Sequence, residues 1–166
     1  MFEEFMGIPA HPLLIHAAVV FVPLLALAAV GYAFLPILRP HLRLVLAALA
    51  VIGPISALLA KLSGDAFFER MRERNRVTEG FIPVIEQHQD FGTNTMWAAI
   101  ALGVVTLALV YFVGPSAVAA RTAGGPGGTR VMSIALTVLS VVAAAIAIYY
   151  VVRTGDSGAK AVWEGQ

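Results

Sequence analysis

Cysteine is absent from the 166-residue chain, which removes disulfides, thiolate metal sites, iron–sulfur ligation and covalently attached haem together. Imidazole and oxygen donors remain. Charge is scarce: 13% of the residues are Asp, Glu, Lys or Arg, against 59% hydrophobic, for a net charge of +1. That leaves too little polar surface to cover a soluble domain of this length. No broad basic patch is present, so a nucleic-acid partner is not expected. The run Gly124-Gly125-Pro126-Gly127-Gly128 is not followed by Lys and Ser or Thr, so it reads as a linker and not as a phosphate cradle. No nucleophile has a nearby base to activate it, which argues against a hydrolase. The first ten residues carry Glu3 and Glu4 and no Lys or Arg, unlike the positive start of a cleaved signal, so the first apolar run is expected to stay in the mature protein.

What the chain has is four apolar runs, at residues 13–35, 42–60, 96–113 and 131–152. Each is close to the ~20 residues that cross a bilayer as a helix. The expected fold is all-α, a single integral membrane four-helix bundle over residues 1–166 with the bilayer as its first partner. Residues 63–95 are too polar to cross but carry Ala66, Phe67, Met71, Phe81, Ile82 and Ile85 among charges, which predicts a partly helical extramembrane lid. Pro23 and Gly53-Pro54 are expected to shape the spans. Mid-span positions hold no acid or base of the kind transporters and proton pumps use. Their Ser56, Thr106, Ser133, Thr137 and Ser140, with Ala57, Ala99 and Ala144, read as helix-packing groups.

Basic residues give conflicting signals about orientation. Arg39, Arg43, Arg121 and Arg130 flank the first and third connections, and Lys61, Arg70, Arg72, Arg74, Arg76, Arg153 and Lys160 lie on the other side. The first span and the tight connections are weighted more heavily, which places both termini outside the cytoplasm.

The histidines are the candidate chemistry. His11 and His16 open the first run and His88 precedes the third, and in an antiparallel bundle the first and third spans start at the same leaflet. An imidazole withdrawn from water favours its neutral form, which can ligate a metal or haem iron. His11, between Pro9 and Pro12, is expected to precede the helix that Pro12 starts, with His16 one turn inside. Two axial imidazoles must approach one iron from different helices at similar depth. His16 and His88 lead as axial ligands, with Trp97 near the macrocycle. Yet flush spans would leave His88 roughly 12 Å above the start of the third, a gap that closes if His11 is its partner. A second scheme puts His11, His16 and His88 on one divalent metal ion, as in a three-imidazole zinc site. A third is structural, with interfacial histidines locking helix ends and Trp97, Tyr149, Tyr150 and Trp163 anchoring the interface. His41, in the opposite turn, is expected to be solvated.

The opening His11-Pro12-Leu13-Leu14-Ile15-His16, the Ser63-Gly64-Asp65-Ala66 segment followed by Ile85-Glu86-Gln87-His88 and Gly92, and the closing Thr154-Gly155-Asp156-Ser157-Gly158-Ala159 resemble the bacterial membrane proteins of domain of unknown function 2231. The resemblance covers nearly the whole chain. It implies a multi-pass protein of the bacterial plasma membrane with four spans. Relatives that carry a Rieske iron–sulfur domain in the same polypeptide imply respiratory electron transfer, a b-type haem on the histidines, and other respiratory-complex subunits as partners. Many relatives have histidine where Asp156 stands and phenylalanine where Ala17 stands. The combined expectation is an electron carrier or accessory subunit and not a stand-alone catalyst. Its alternatives are a cofactor-free scaffolding subunit and a histidine metal-binding protein.

Overall fold

A computed structural model of the chain describes residues 4–5, 8–113 and 127–163. Two short strands, β1 (Glu4–Phe5) and β2 (Ile8–Pro9), pair antiparallel with Glu4 opposite Pro9 and Phe5 opposite Ile8. Four helices follow: α1 (Ala10–Phe34), α2 (Arg39–Glu73), α3 (Ile82–Val113) and α4 (Gly127–Trp163). Single 3-10 turns at Pro36–Leu38 and Glu79–Phe81 lead into α2 and α3.

Local chemistry sets the ends. Leu35, held extended by the proline after it, ends α1. Arg39 then folds back, its Nε and an NH2 each 3.0 Å from the carbonyls of Tyr32 and Ala33, which the end of α1 leaves without helical partners. At the far end of α2, Asn75 takes φ 50, a left-handed conformation that asparagine tolerates. The Asn75 and Arg76 amides return to the carbonyls of Arg72 and Met71.

The helices form a ring in which α1 and α3 each pack against both α2 and α4. The core holds Val22, Leu25 and Tyr32 of α1, Leu46 of α2, Leu102 and Leu109 of α3 and Ala147 of α4. Outward positions are just as apolar: Leu27 is 68% exposed, Leu44 81% and Val104 63%. Water would penalise such a surface, and hydrocarbon does not. All four helices are long and apolar enough to cross a membrane. The protein is a multi-pass, all-α membrane bundle.

Two of the mid-span hydroxyls serve their own helices, Ser56 donating to Gly53 O and Ser140 to Leu136 O, both at 2.7 Å; the buried Thr106 hydroxyl has no hydrogen-bond partner. Pro54 has no amide hydrogen to offer the Ala50 carbonyl. That carbonyl instead faces α3, where a methyl group on Gly103 would lie 2.6 Å from Ala50 O and 2.8 Å from Pro54 Cγ. Glycine is what lets α3 approach this point.

Three expectations change. Helix α1 starts at Ala10, so His11 lies inside it; Pro12 is tolerated because amides of a first helical turn have no acceptor in any case. Helix α2 does not stop near Ala60 but runs through Ser63-Gly64-Asp65 to Glu73. The expected lid at 63–95 is therefore the protruding end of α2, a short link, and the protruding start of α3. Likewise α4 continues through Gly155 and Gly158 to Trp163. The glycine-rich connection expected at 122–129 lies outside the described residues up to 126, and α4 begins at Gly127.

Candidate functional site

At one end of the bundle the apolar run of α1 starts at Leu13, that of α2 stops at Ala60, that of α3 starts at Met96 and that of α4 stops at Val152. His11, Ser63, His88 and Ser157 lie two, three, eight and five residues beyond the limits of these apolar runs. His11 reaches from α1 to α2, its Nδ1 3.1 Å from Ala60 O and 3.2 Å from Ser63 Oγ. His88 reaches from α3 to α4, its Nδ1 3.0 Å from Ser157 Oγ. The two rings meet edge-on with centroids 6.5 Å apart and planes at 75°. Phe67 stacks beside His11 at 6.3 Å.

Both imidazoles rest on glycine. A methyl group at Gly64 would lie 2.9 Å from His11 Cε1, and one at Gly158 would lie 2.8 Å from His88 Cε1. This explains why α2 and α4 run through glycines that sequence reading takes as helix ends. A mid-helix glycine costs roughly 0.5–1 kcal/mol relative to alanine, and here it makes room for an imidazole against the backbone.

Polar groups tie the surrounding helices together. Asp65 pairs with Lys61 and accepts from Gln89 Nε2 at 3.2 Å, joining α2 to α3. Thr154 donates to Tyr150 O at 2.8 Å, so its hydroxyl accepts from Thr95 at 2.7 Å and joins α3 to α4. Burial pushes the pKa of both imidazoles below the ordinary value of 6.5. For His88 the neighbouring His11 adds to the lowering; for His11 the Ala60 carbonyl and the Asp65 carboxylate oppose it. Both are therefore neutral ring bases at neutral pH.

The remaining sequence candidates lie elsewhere. His16 is exposed, and its Nδ1 bonds to Pro12 O on its own helix. Because α1 is continuous from Ala10, five residues turn His16 about 140° away from His11, and the three-imidazole metal arrangement does not form. Among the described residues no three His, Cys, Asp or Glu side chains are grouped to hold a metal. Trp97 is 61% exposed, and it follows His88 by nine residues, about half a turn round α3 and roughly 13 Å along it. It faces outward, not toward the imidazoles. His41 is exposed.

Ser63, Gly64, Phe67, Ser157 and Gly158 were not expected as site residues. The available signal was the Ser-Gly pair, present once in each half of the chain at the same leaflet as the histidines.

No curated protein and no solved structure compared with the chain matches it. The family described as predicted membrane protein (DUF2231) matches residues 7–166. The chain, matched over almost its whole length, belongs to that family.

Proposed function

We propose that this protein is a b-type haem electron carrier of the bacterial plasma membrane, with His11 and His88 as axial ligands through Nε2. The observation that carries the reading is the opposed pair itself: two half-buried imidazoles from different helices, at one depth, each with Nδ1 held by the next helix. With Nδ1 engaged, Nε2 is the nitrogen free to ligate, and hydrogen bonds of this kind to the other ring nitrogen orient ligating histidines generally.

The number of donors favours haem over a small ion. Zinc takes three or four protein ligands, whereas a haem iron takes four nitrogens from its macrocycle and needs one or two from the protein. The two ring centroids lie 6.5 Å apart. When bound, the haem supplies one-electron transfer. The chain's own residues do the rest. Ser63, Ala60 and Ser157 orient the two rings, Phe67 covers one side of His11, and burial keeps both rings neutral. A carrier needs a donor and an acceptor, so we further propose respiratory-complex subunits as partners.

A second reading has its own observation. Each imidazole is already hydrogen-bonded and packed on a glycine of the second helix of its own hairpin, and the two rings touch, so the pair serves equally as a cofactor-free clasp that closes each hairpin of a scaffolding subunit and seats one hairpin against the other. A reduced-minus-oxidised optical spectrum of protein purified in mild detergent with haem supplied separates the two. The carrier gives b-type bands that vanish in His11→Ala and in His88→Ala and persist in His16→Ala. A colourless preparation that copurifies with a larger complex supports the clasp instead.

A further inference from the structure

We infer that the site is a duplicated half-site in which Ser63 and Ser157 lock the two imidazoles in the same tautomer, proton on Nδ1 and lone pair on Nε2. The inference rests on reading His11 and His88 as a site, and it holds whichever group lies between them.

The proton accounting starts at the serines. Ser63 Oγ donates its only hydrogen to Ala60 O at 2.9 Å, and Ser157 Oγ donates its own to Thr154 O at 3.1 Å. Each hydroxyl is left as an acceptor toward the imidazole facing it. A hydroxyl without a spare hydrogen, and a carbonyl which never has one, can meet a ring nitrogen only if that nitrogen carries the proton. For His11 both partners, Ser63 Oγ and Ala60 O, are of this kind. For His88 they are Ser157 Oγ and the Thr154 carbonyl. Both serines are buried, at 1% and 6% exposure, so water does not compete for them.

The second observation is the repetition. In each half a histidine on the first helix of a hairpin meets a Ser-Gly pair on the second, and in each half the serine bonds the carbonyl three residues back. The glycines repeat the same distances. From the ideal Cβ position, Cε1, Nδ1 and Nε2 lie at 2.9, 3.2 and 3.6 Å at Gly64 and at 2.8, 3.3 and 3.5 Å at Gly158. A lysine–aspartate pair flanks each Ser-Gly, Lys61 with Asp65 and Asp156 with Lys160. The α1–α2 and α3–α4 hairpins thus each carry one imidazole with an unprotonated Nε2, on rings whose centroids lie 6.5 Å apart. Such an arrangement suits a single electron-pair acceptor, and Ser63 and Ser157 are its positioning residues.

The test is 15N NMR of the full-length protein, histidine-labelled, in detergent and without added haem, with the rings assigned by their loss in His11→Ala and His88→Ala. The expected pattern for both rings is protonated Nδ1 and bare Nε2. Ser157→Ala introduces the other tautomer at His88 and leaves His11 unchanged, Ser63→Ala does the converse, and threonine at either position restores the wild-type pattern. In protein that takes up haem, each alanine variant lowers haem affinity about 10- to 100-fold. A proton on Nε2 of either ring in the wild type overturns the inference, and alanine variants identical to wild type remove the serines from it. A colourless protein with both Nδ1 protonated sinks only the haem reading; a haem-loading protein with Nε2 protonated sinks only this one.

Discussion

At the scale of single residues, packing and protonation make opposite demands on the two imidazoles. Neutral, each fits between helices; charged, each loses solvation and faces the other at 6.5 Å. Their pKa values lie below the ordinary 6.5 in the folded protein, so the unfolded chain takes up protons first as pH falls. Stability is therefore full above about pH 7 and declines as pH drops through the unfolded histidine value of about 6.5. Thermal unfolding in detergent at descending pH should show a falling midpoint, with the slope reduced in His88→Ala. The glycines give a second residue-scale prediction: Gly158→Ala puts a methyl group 2.8 Å from His88 Cε1 and should cost about 1–3 kcal/mol of overpacking, read as a lower melting midpoint.

Individual helices divide clearly into what hydropathy encodes and what it does not. The four spans were legible because bilayer thickness demands long apolar runs, and the chain supplies four of them. Their ends were not, because Gly64 and Gly158 carry the stop signal of a helix while serving as contact points for His11 and His88 within one; tertiary packing overrides the propensity. His11 was misplaced by the same logic, since Pro12 starts a helix as readily in its third position as in its first. The meeting of His11 with His88 depends on how far α2, α3 and α4 protrude, and no local pattern reports that. Pro54 is the element-scale counterpart: that it shapes its span was legible, but the Ala50 carbonyl it leaves free, lying against Gly103, needed the partner helix. Gly103→Ala drives a methyl group to 2.6 Å from that carbonyl. Backbone on both sides cannot give way cheaply, so this substitution should destabilise by at least the 1–3 kcal/mol of ordinary overpacking. Comparing its melting midpoint with that of Ala101→Leu, at an exposed position of the same helix, checks the cause.

For the molecule as a whole, an apolar exterior around an apolar core fixes the solvent as lipid, and an even number of spans puts both ends on one side. The imidazole pair shares that side with the protruding ends of α2, α3 and α4. Our proposed orientation has it outside the cytoplasm, so a reporter enzyme that works only there should be active when fused after Gln166, and one that works only in the cytoplasm should be silent. The central claim is that two hairpins present one imidazole each to a common iron. Electron paramagnetic resonance of the oxidised, haem-loaded protein tests it most directly. Two imidazoles near 75° to one another predict a low-spin ferric signal of large anisotropy, lost in His11→Ala and in His88→Ala and kept in His16→Ala. A high-spin signal alone, or a low-spin signal that survives loss of either His11 or His88, would contradict it.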